Sequence, residues 1–122
     1  MALHNLLGKS GEEYAAEYLV SRGYVIRDVN WVSGRHELDI VAYRDDTIVV
    51  VEVKTRSNID FAYPEEAVTP QKIRNTVRAT DAYMRMFELD MEVRFDVISI
   101  VGKEPPFEIE HIEDAFVAPL NV

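Results

Sequence analysis

Three side chains of this sequence have the types and spacing to act on a phosphoryl group: Asp39, and Glu52 with Lys54 two residues beyond it. They lie in HELDIVAYRDDTIVVVEVKTR, His36 to Arg56, whose alternating apolar residues read as two strands joined at Asp45-Asp46. With those aspartates at the centre of a tight turn, Arg44 pairs with Thr47, which sets Asp39 opposite Glu52 and Glu37 opposite Lys54. Side chains alternate between faces. Leu38, Ile40, Ala42, Val49, Val51 and Val53 then form the core face, while Glu37, Asp39, Glu52 and Lys54 gather on the other, beyond Val41, Tyr43, Ile48 and Val50. Directly opposed Cβ atoms are about 4.5–5.5 Å apart and like charges so placed destabilise a sheet. Asp39 facing Glu52 therefore calls for a cation. Mg2+ or Mn2+ is the expected cofactor, because such ions bind through one or two carboxylates plus water and substrate phosphate. The matching chemistry is phosphodiester hydrolysis: the metal polarises the phosphoryl group and acidifies a water, and the lysine orients that water or stabilises developing charge. The competing explanation is a solvated face on which Glu37 and Lys54 form an ordinary cross-strand ion pair.

The surrounding elements must hold this hairpin. Leu6 to Arg22 reads as a helix, with Tyr14, Ala15, Tyr18 and Leu19 at helical spacing, Ser10 and Glu13 as a capping box, and Gly23 as the stop. Tyr24 to Trp31 reads as a strand and Val32-Ser33-Gly34 as a turn, followed by strands at Arg35–Tyr43 and Thr47–Thr55. After a loop over residues 57–68, Thr69 caps and Pro70 opens a long helix with an expected buried stripe of Ile73, Val77, Thr80, Met84 and Phe87. Glu92 to Val101 is a further strand, and Pro105-Pro106 precede a short edge strand at Phe107–Ile112. The expected fold is α/β: one domain over residues 1–122, with a mixed sheet in α-β-β-β-α-β order and helices packed on it.

Composition narrows the chemistry. The 122 residues hold no cysteine, so thiolate metal sites are excluded, and His4, His36 and His111 have no zinc spacing. Any metal would be held by oxygen. No window resembles a membrane span or signal peptide, so no membrane association and a cytoplasmic location are expected. The net charge of −9 opposes polyanion binding by the molecule as a whole. Much of the acid is concentrated near the end, at Glu104, Glu108, Glu110, Glu113 and Asp114, which leaves room for a basic surface elsewhere.

Asp39, a hairpin and Glu52-Val53-Lys54 match the PD-(D/E)xK nuclease signature. Around them, Gly8-Lys9-Ser10-Gly11-Glu12, Arg22-Gly23-Tyr24, Asn30-Trp31, Glu37-Leu38-Asp39-Ile40-Val41-Ala42, the Pro64-Glu65-Glu66-Ala67-Val68 loop with Lys72, and Arg94-Phe95-Asp96-Val97 resemble the YraN family of small bacterial proteins over nearly the whole chain. The resemblance implies a restriction-endonuclease-like fold similar to archaeal Holliday junction resolvases, and a nuclease activity. Carried over by position, Asp39 and Glu52 would be metal ligands, Lys54 the catalytic lysine and Glu12 an additional acid. One departure stands out: the family usually has glycine directly before Glu-x-Asp, and here that place is His36, with Gly34 two residues earlier. An altered turn or bulge is implied there.

Without the resemblance, Glu12 reads as an acid favoured in a helix's first turn. Arg56, Lys72, Arg74 and Arg78, with Arg85 beyond them, are candidates for contacting phosphates, although basic helix faces are more often simply solvated. Glu37 is a candidate partner for Lys54, and Gln71 a side chain able to approach the acids. Tyr14, Tyr18 and Trp31 read as core. The expected function is a metal-dependent nuclease on branched or structured DNA, with dimerisation expected by analogy with junction-cutting enzymes. The alternatives are a non-catalytic nucleic-acid-binding or adaptor domain retaining the fold, and a protein-interaction module using the acidic C-terminal surface.

Overall fold

The computed structural model describes residues 10–56, 68–104 and 106–118. The chain runs α1 (Gly11–Ser21), β1 (Val25–Ser33), β2 (His36–Arg44), β3 (Thr47–Arg56), α2 (Pro70–Met86), β4 (Glu92–Val101) and β5 (Glu108–Phe116). One sheet has the strand order β1-β2-β3-β4-β5. Neighbours are antiparallel except β3 and β4, which are parallel and joined through α2. This is the mixed α/β arrangement expected, with the final strand extended to Phe116 rather than stopping at Ile112. The extension passes an irregularity in the β4–β5 pairing, with Asp114 at φ 53. The sequence shows no alternation there. The expected helix start at Leu6, His4, the loop over 57–67 with its Pro-Glu-Glu motif, and Pro105 lie outside the described residues.

Both helix starts are set by local chemistry. Ser10 Oγ accepts the Glu13 amide at 3.2 Å while Glu13 Oε1 accepts the Ser10 amide at 3.1 Å, closing the expected capping box. Gly11 is buried against β3, where a Cβ would overlap Thr55 Oγ1. The missing side chain lets the start of α1 lie on the C-terminal end of β3. Thr69 Oγ1 accepts the Lys72 amide at 3.1 Å and Pro70 opens α2, as expected.

The sheet is covered on both sides, by α1 and α2. Leu19, Ile40, Ala42, Val49, Val51 and Ile98 pack on the α1 side, and Trp31, Val41, Ile48, Val50, Tyr83 and Phe95 on the α2 side. A central strand paired in parallel and buried on both faces needs the continuous apolar run from Ile48 to Val51. Leu38 joins Trp31 in the α2-side cluster rather than Ile40 and Ala42. The change coincides with Asn30, which faces this stretch from β1 at φ 53 and interrupts regular alternation.

The buried face of α2 is also rotated from the expected stripe. Thr76, Ala79, Thr80 and Tyr83 are buried, Ile73, Val77 and Met84 are half-buried, and Phe87 is 42% exposed. Tyr83 can occupy the interior because its hydroxyl donates to Asp28 Oδ2 at 2.6 Å and accepts from Arg27 Nε at 3.0 Å. Thr80 Oγ1 donates to the Thr76 carbonyl at 2.7 Å. Polar atoms satisfied inside the helix or across the interface are invisible to a search for apolar periodicity.

A second polar cluster ties β4 to β5. Asp96 is fully buried, receives two hydrogen bonds from Arg94 at 2.9 and 2.8 Å and one from the Asp114 amide at 3.0 Å, and lies 2.7 Å from His111 Nε2. Burial pushes its carboxyl up, but His111, Arg94 and the Asp114 amide together hold it below the ordinary value. Its stabilising contribution is therefore complete above the unfolded-state pKa of about 3.9 and is lost as pH falls below that. Asp96→Ala is expected to lower the unfolding free energy by about 3–5 kcal/mol at neutral pH, since it removes the buried carboxylate shared by Arg94, His111 and the Asp114 amide and leaves Arg94 with only Glu113 and the Tyr24 hydroxyl. Urea titration measures this, and a loss under ~1 kcal/mol would show that the network does not hold the β4–β5 junction.

Candidate active site

Pairing between β2 and β3 begins at Arg44–Thr47, as the Asp45-Asp46 turn requires, and proceeds in that register to Ile40–Val51. Both turn aspartates have positive φ, at 50 and 63, the backbone of a tight hairpin turn. Beyond Ile40–Val51 the ladder gives way to a side chain: the Val53 amide donates to Asp39 Oδ2 at 2.8 Å. Meanwhile β3 continues alongside β4, from Glu52–Val97 to Arg56–Val101. Asp39 thus ends the hairpin and tethers itself to the strand that carries Glu52 and Lys54.

Glu52 is only 8% exposed. Lys54 Nζ lies 3.6 Å from its Oε2 and Lys72 Nζ 3.6 Å from its Oε1, so two cations bracket one carboxylate at separations longer than direct hydrogen bonds. Burial pushes the Glu52 carboxyl above its ordinary value and Asp39 adds to the rise, with the lysines only partly opposing it. Asp39 is likewise raised, first by burial, while the Val53 amide and the lysines pull it down and Glu12 pushes it up. The two acids therefore share a field. Each carboxyl is held above its ordinary value, chiefly by burial.

Lys72 also opens onto a neighbouring cleft of about 380 Å³. One wall is the β1–β2 turn, with Arg35, His36 and Glu37; the other is the N-terminal half of α2, with Lys72, Asn75, Thr76 and Arg78. Lys72 touches both the acid pair and the cleft.

The expected residues divide between these places. Asp39, Glu52 and Lys54 come together, and Glu12 sits in the first turn of α1 within the electrostatic reach of Asp39. The cap is made by Glu13, so Glu12 is not used in it. Among the described residues no three His, Asp or Glu side chains form a metal-holding group. Glu37 pairs with Val32 across β1–β2 and lines the cleft, while the ion pair of Lys54 is with Glu52. The expected Glu37–Lys54 opposition is not formed, because β2 and β3 have stopped pairing at that point. Gln71 binds Asn75 and Arg74 at 2.8 and 2.9 Å along the exposed side of α2, so it and Arg74 are engaged there. Arg78 lines the cleft, and Arg56 stands at the end of β3.

Three features escaped sequence reasoning. The contact of Lys72 with Glu52 follows from Pro70 at the first helical position and the β3-α2-β4 crossover, which together bring the helix start to the C-terminal end of β3. Arg35 enters the cleft because the turn is Gly34-Arg35, with Gly34 at φ 60, rather than Val32 to Gly34. Ser99, beside Lys54 in the β3–β4 register, is fully buried and its hydroxyl has no hydrogen-bond partner among the described residues. No local sequence signal marks it.

Comparison with known proteins gives a consistent family. The profile of the uncharacterised protein family UPF0102 matches residues 11–100. A UPF0102 protein of Bacteroides fragilis is 57% identical over 120 residues, covering 98% of this chain and 99% of its own length. One from Bacteroides thetaiotaomicron is 56% identical with the same coverage, and one from Flavobacterium psychrophilum 47% identical over 116 residues, covering 95% and 98%. Among the described residues no helix is long and apolar enough to cross a membrane.

The raised carboxyls fix the sign of a stability effect. Between the unfolded-state value of about 3.9 and the higher native one, the native state binds the Asp39 proton more tightly, so stability falls as pH rises, and above both the cost is complete. Asp39→Asn keeps an acceptor for the Val53 amide and removes the charge. It is expected to melt higher than the wild type at pH 7 without divalent metal, with the difference shrinking as pH approaches 4. Thermal melts across pH 4–8 check this; a variant that melts lower at pH 7 would mean the carboxylate stabilises the fold as it stands.

Proposed function

This chain belongs to the UPF0102 family, and from the geometry of its Asp39–Glu52 site we propose that it is a metal-dependent nuclease that hydrolyses DNA phosphodiester bonds. One observation carries this: where β2 and β3 part, half-buried Asp39 is bonded to the Val53 amide and raises the proton affinity of buried Glu52, which has Lys54 and Lys72 beside it. Their raised proton affinity is what an acid pair shows when its charge is only partly compensated. The donor chemistry fits magnesium or manganese, which use one or two carboxylates and complete their shells with water and phosphate oxygen. Bound there, such an ion would polarise the phosphoryl group and lower the pKa of a water.

The chain's own residues supply the rest. Asp39 and Glu52 would hold the ion, and the Val53 amide fixes Asp39 against the strand that bears Glu52. Lys54, about one-third exposed, is placed to donate toward the attacking water or the developing negative charge. Lys72 spans Glu52 and the cleft and would neutralise a substrate phosphate on the far side of the acids. Branched or structured DNA as substrate rests on the resemblance to resolvases, an analogy of fold.

Cleavage of duplex, single-stranded and four-way DNA in Mg2+ or Mn2+ tests the proposal. Glu52→Gln and Lys54→Ala are each expected to reduce the cleavage rate by on the order of 10²–10³-fold while DNA binding persists. Absence of cleavage of all three substrates by the wild type would favour a non-catalytic binding domain. Because a proton competes with the metal for raised carboxyls, activity at limiting metal is expected to fall as pH drops from 8 toward 5, and excess metal to restore it. Magnesium at tenfold over its Kd should also stabilise the wild type by about 1.4 kcal/mol and leave Asp39→Asn unchanged.

A further inference from the structure

We propose that the cleft between the β1–β2 turn and α2 receives one unpaired nucleotide flanking the scissile phosphate, so that the protein acts on strands with single-stranded character beside the cut. The proposal rests on the nuclease assignment above and adds a subsite to it. Lys72 supplies the connection: its ammonium lies 3.6 Å from Glu52 while its side chain lines the cleft, so a strand leaving the acid pair past Lys72 enters this cavity next.

Size and lining identify the occupant. At about 380 Å³ the cleft is near the low end of the range for small-ligand sites, roughly 300–1,000 Å³, a size that suits a single nucleotide. Arg35 and Arg78 stand on opposite walls, and among the described residues neither has an ion-pair partner. With Lys72 they present three cations to a phosphate. The lining is mainly polar, with His36 and Asn75 able to meet base edges and the guanidinium planes able to stack on a base. His36 places an imidazole on the turn side of the cleft.

Charge supports the same occupant. Duplex binding usually needs an extended basic surface, which a chain of net charge −9 is poorly supplied to build. Three phosphate-facing cations on a single strand predict a shallow salt dependence, with a slope of log K against log salt near −2.

The test uses full-length Glu52→Gln protein, labelled oligo(dT), a blunt duplex and a fork with unpaired arms, with binding followed by fluorescence anisotropy. Oligo(dT) and the fork are expected to bind at least about tenfold more tightly than the duplex. Arg35→Ala and Arg78→Ala, both on the surface, should each weaken oligo(dT) binding about 5–10-fold and flatten its salt slope by about 0.7, with duplex binding and melting temperature unchanged. Equal affinity for duplex and single strand, or arginine variants that bind oligo(dT) as tightly as the parent, would overturn the subsite. Wild-type cleavage separates the two levels. Cutting of intact duplex at the single-strand rate leaves a nuclease without this subsite; arginine-dependent single-strand binding without any metal-dependent cutting keeps the subsite and removes the nuclease.

Discussion

The hydrogen bond from the Val53 amide to Asp39 marks where the β2–β3 hairpin ceases to be a sheet and becomes a site. A ladder continued for two more residues would direct Asp39 by backbone pairing alone, with its carboxylate free. Here the carboxylate replaces the missing carbonyl, which ties its position to the strand carrying Glu52. The β3–β4 pairing, unbroken to Arg56, keeps that strand extended beyond the split. Lys54 and the start of α2 are positioned by the same extension. Loss of the tether would therefore disturb the relative placement of every group at that end.

Burial alone does not make these acids unusual, as Asp96 shows. It is more deeply buried than Glu52, yet Arg94, His111 and the Asp114 amide satisfy its oxygens and hold its proton affinity down. Asp39 has one amide, and Glu52 has two lysines at 3.6 Å, each about a third exposed and well hydrated. Desolvation outweighs compensation in the second case and loses to it in the first. The same sheet thus contains one carboxylate whose charge supports folding and two whose charge opposes it. A protein keeps the latter arrangement at a cost in stability, which is the usual mark of residues retained for chemistry.

Much of this end of the fold was legible because it obeys local rules. The two-residue turn fixed the register from Arg44–Thr47 to Ile40–Val51, and Ser10, Thr69 and Pro70 announced both helix starts. The sequence was less informative where partners come from distant elements. Alternation placed Val41, Ile48 and Val50 on the face that carries the charges, but nothing in the hairpin says that α2 will cover them. The stripe on α2 was misplaced because Tyr83 carries its polar tip into Asp28 and Arg27, more than fifty positions away. Glu37 was set opposite Lys54 by extending a register past the point where the strands separate. Arg35 depended on a one-residue difference in the turn.

Net charge was the strongest objection to a nucleic-acid partner, and the topology shows why it is a poor descriptor. The exposed acids Glu108, Glu110 and Glu113 lie on β5, at one edge of the sheet, whereas the cationic cleft adjoins β1 and β2 at the other. Three strand spacings separate β5 from β2, about 14 Å at ~4.8 Å each. The Debye length at physiological ionic strength is about 8 Å, so most of the repulsion from that edge is screened before it reaches the cleft. What a phosphate meets there is set by Arg35, Lys72 and Arg78 against Glu37, and that balance is positive. An acidic protein can hold one strand at such a place while repelling polyanions over the rest of its surface, so the contact we propose would be limited to a few nucleotides.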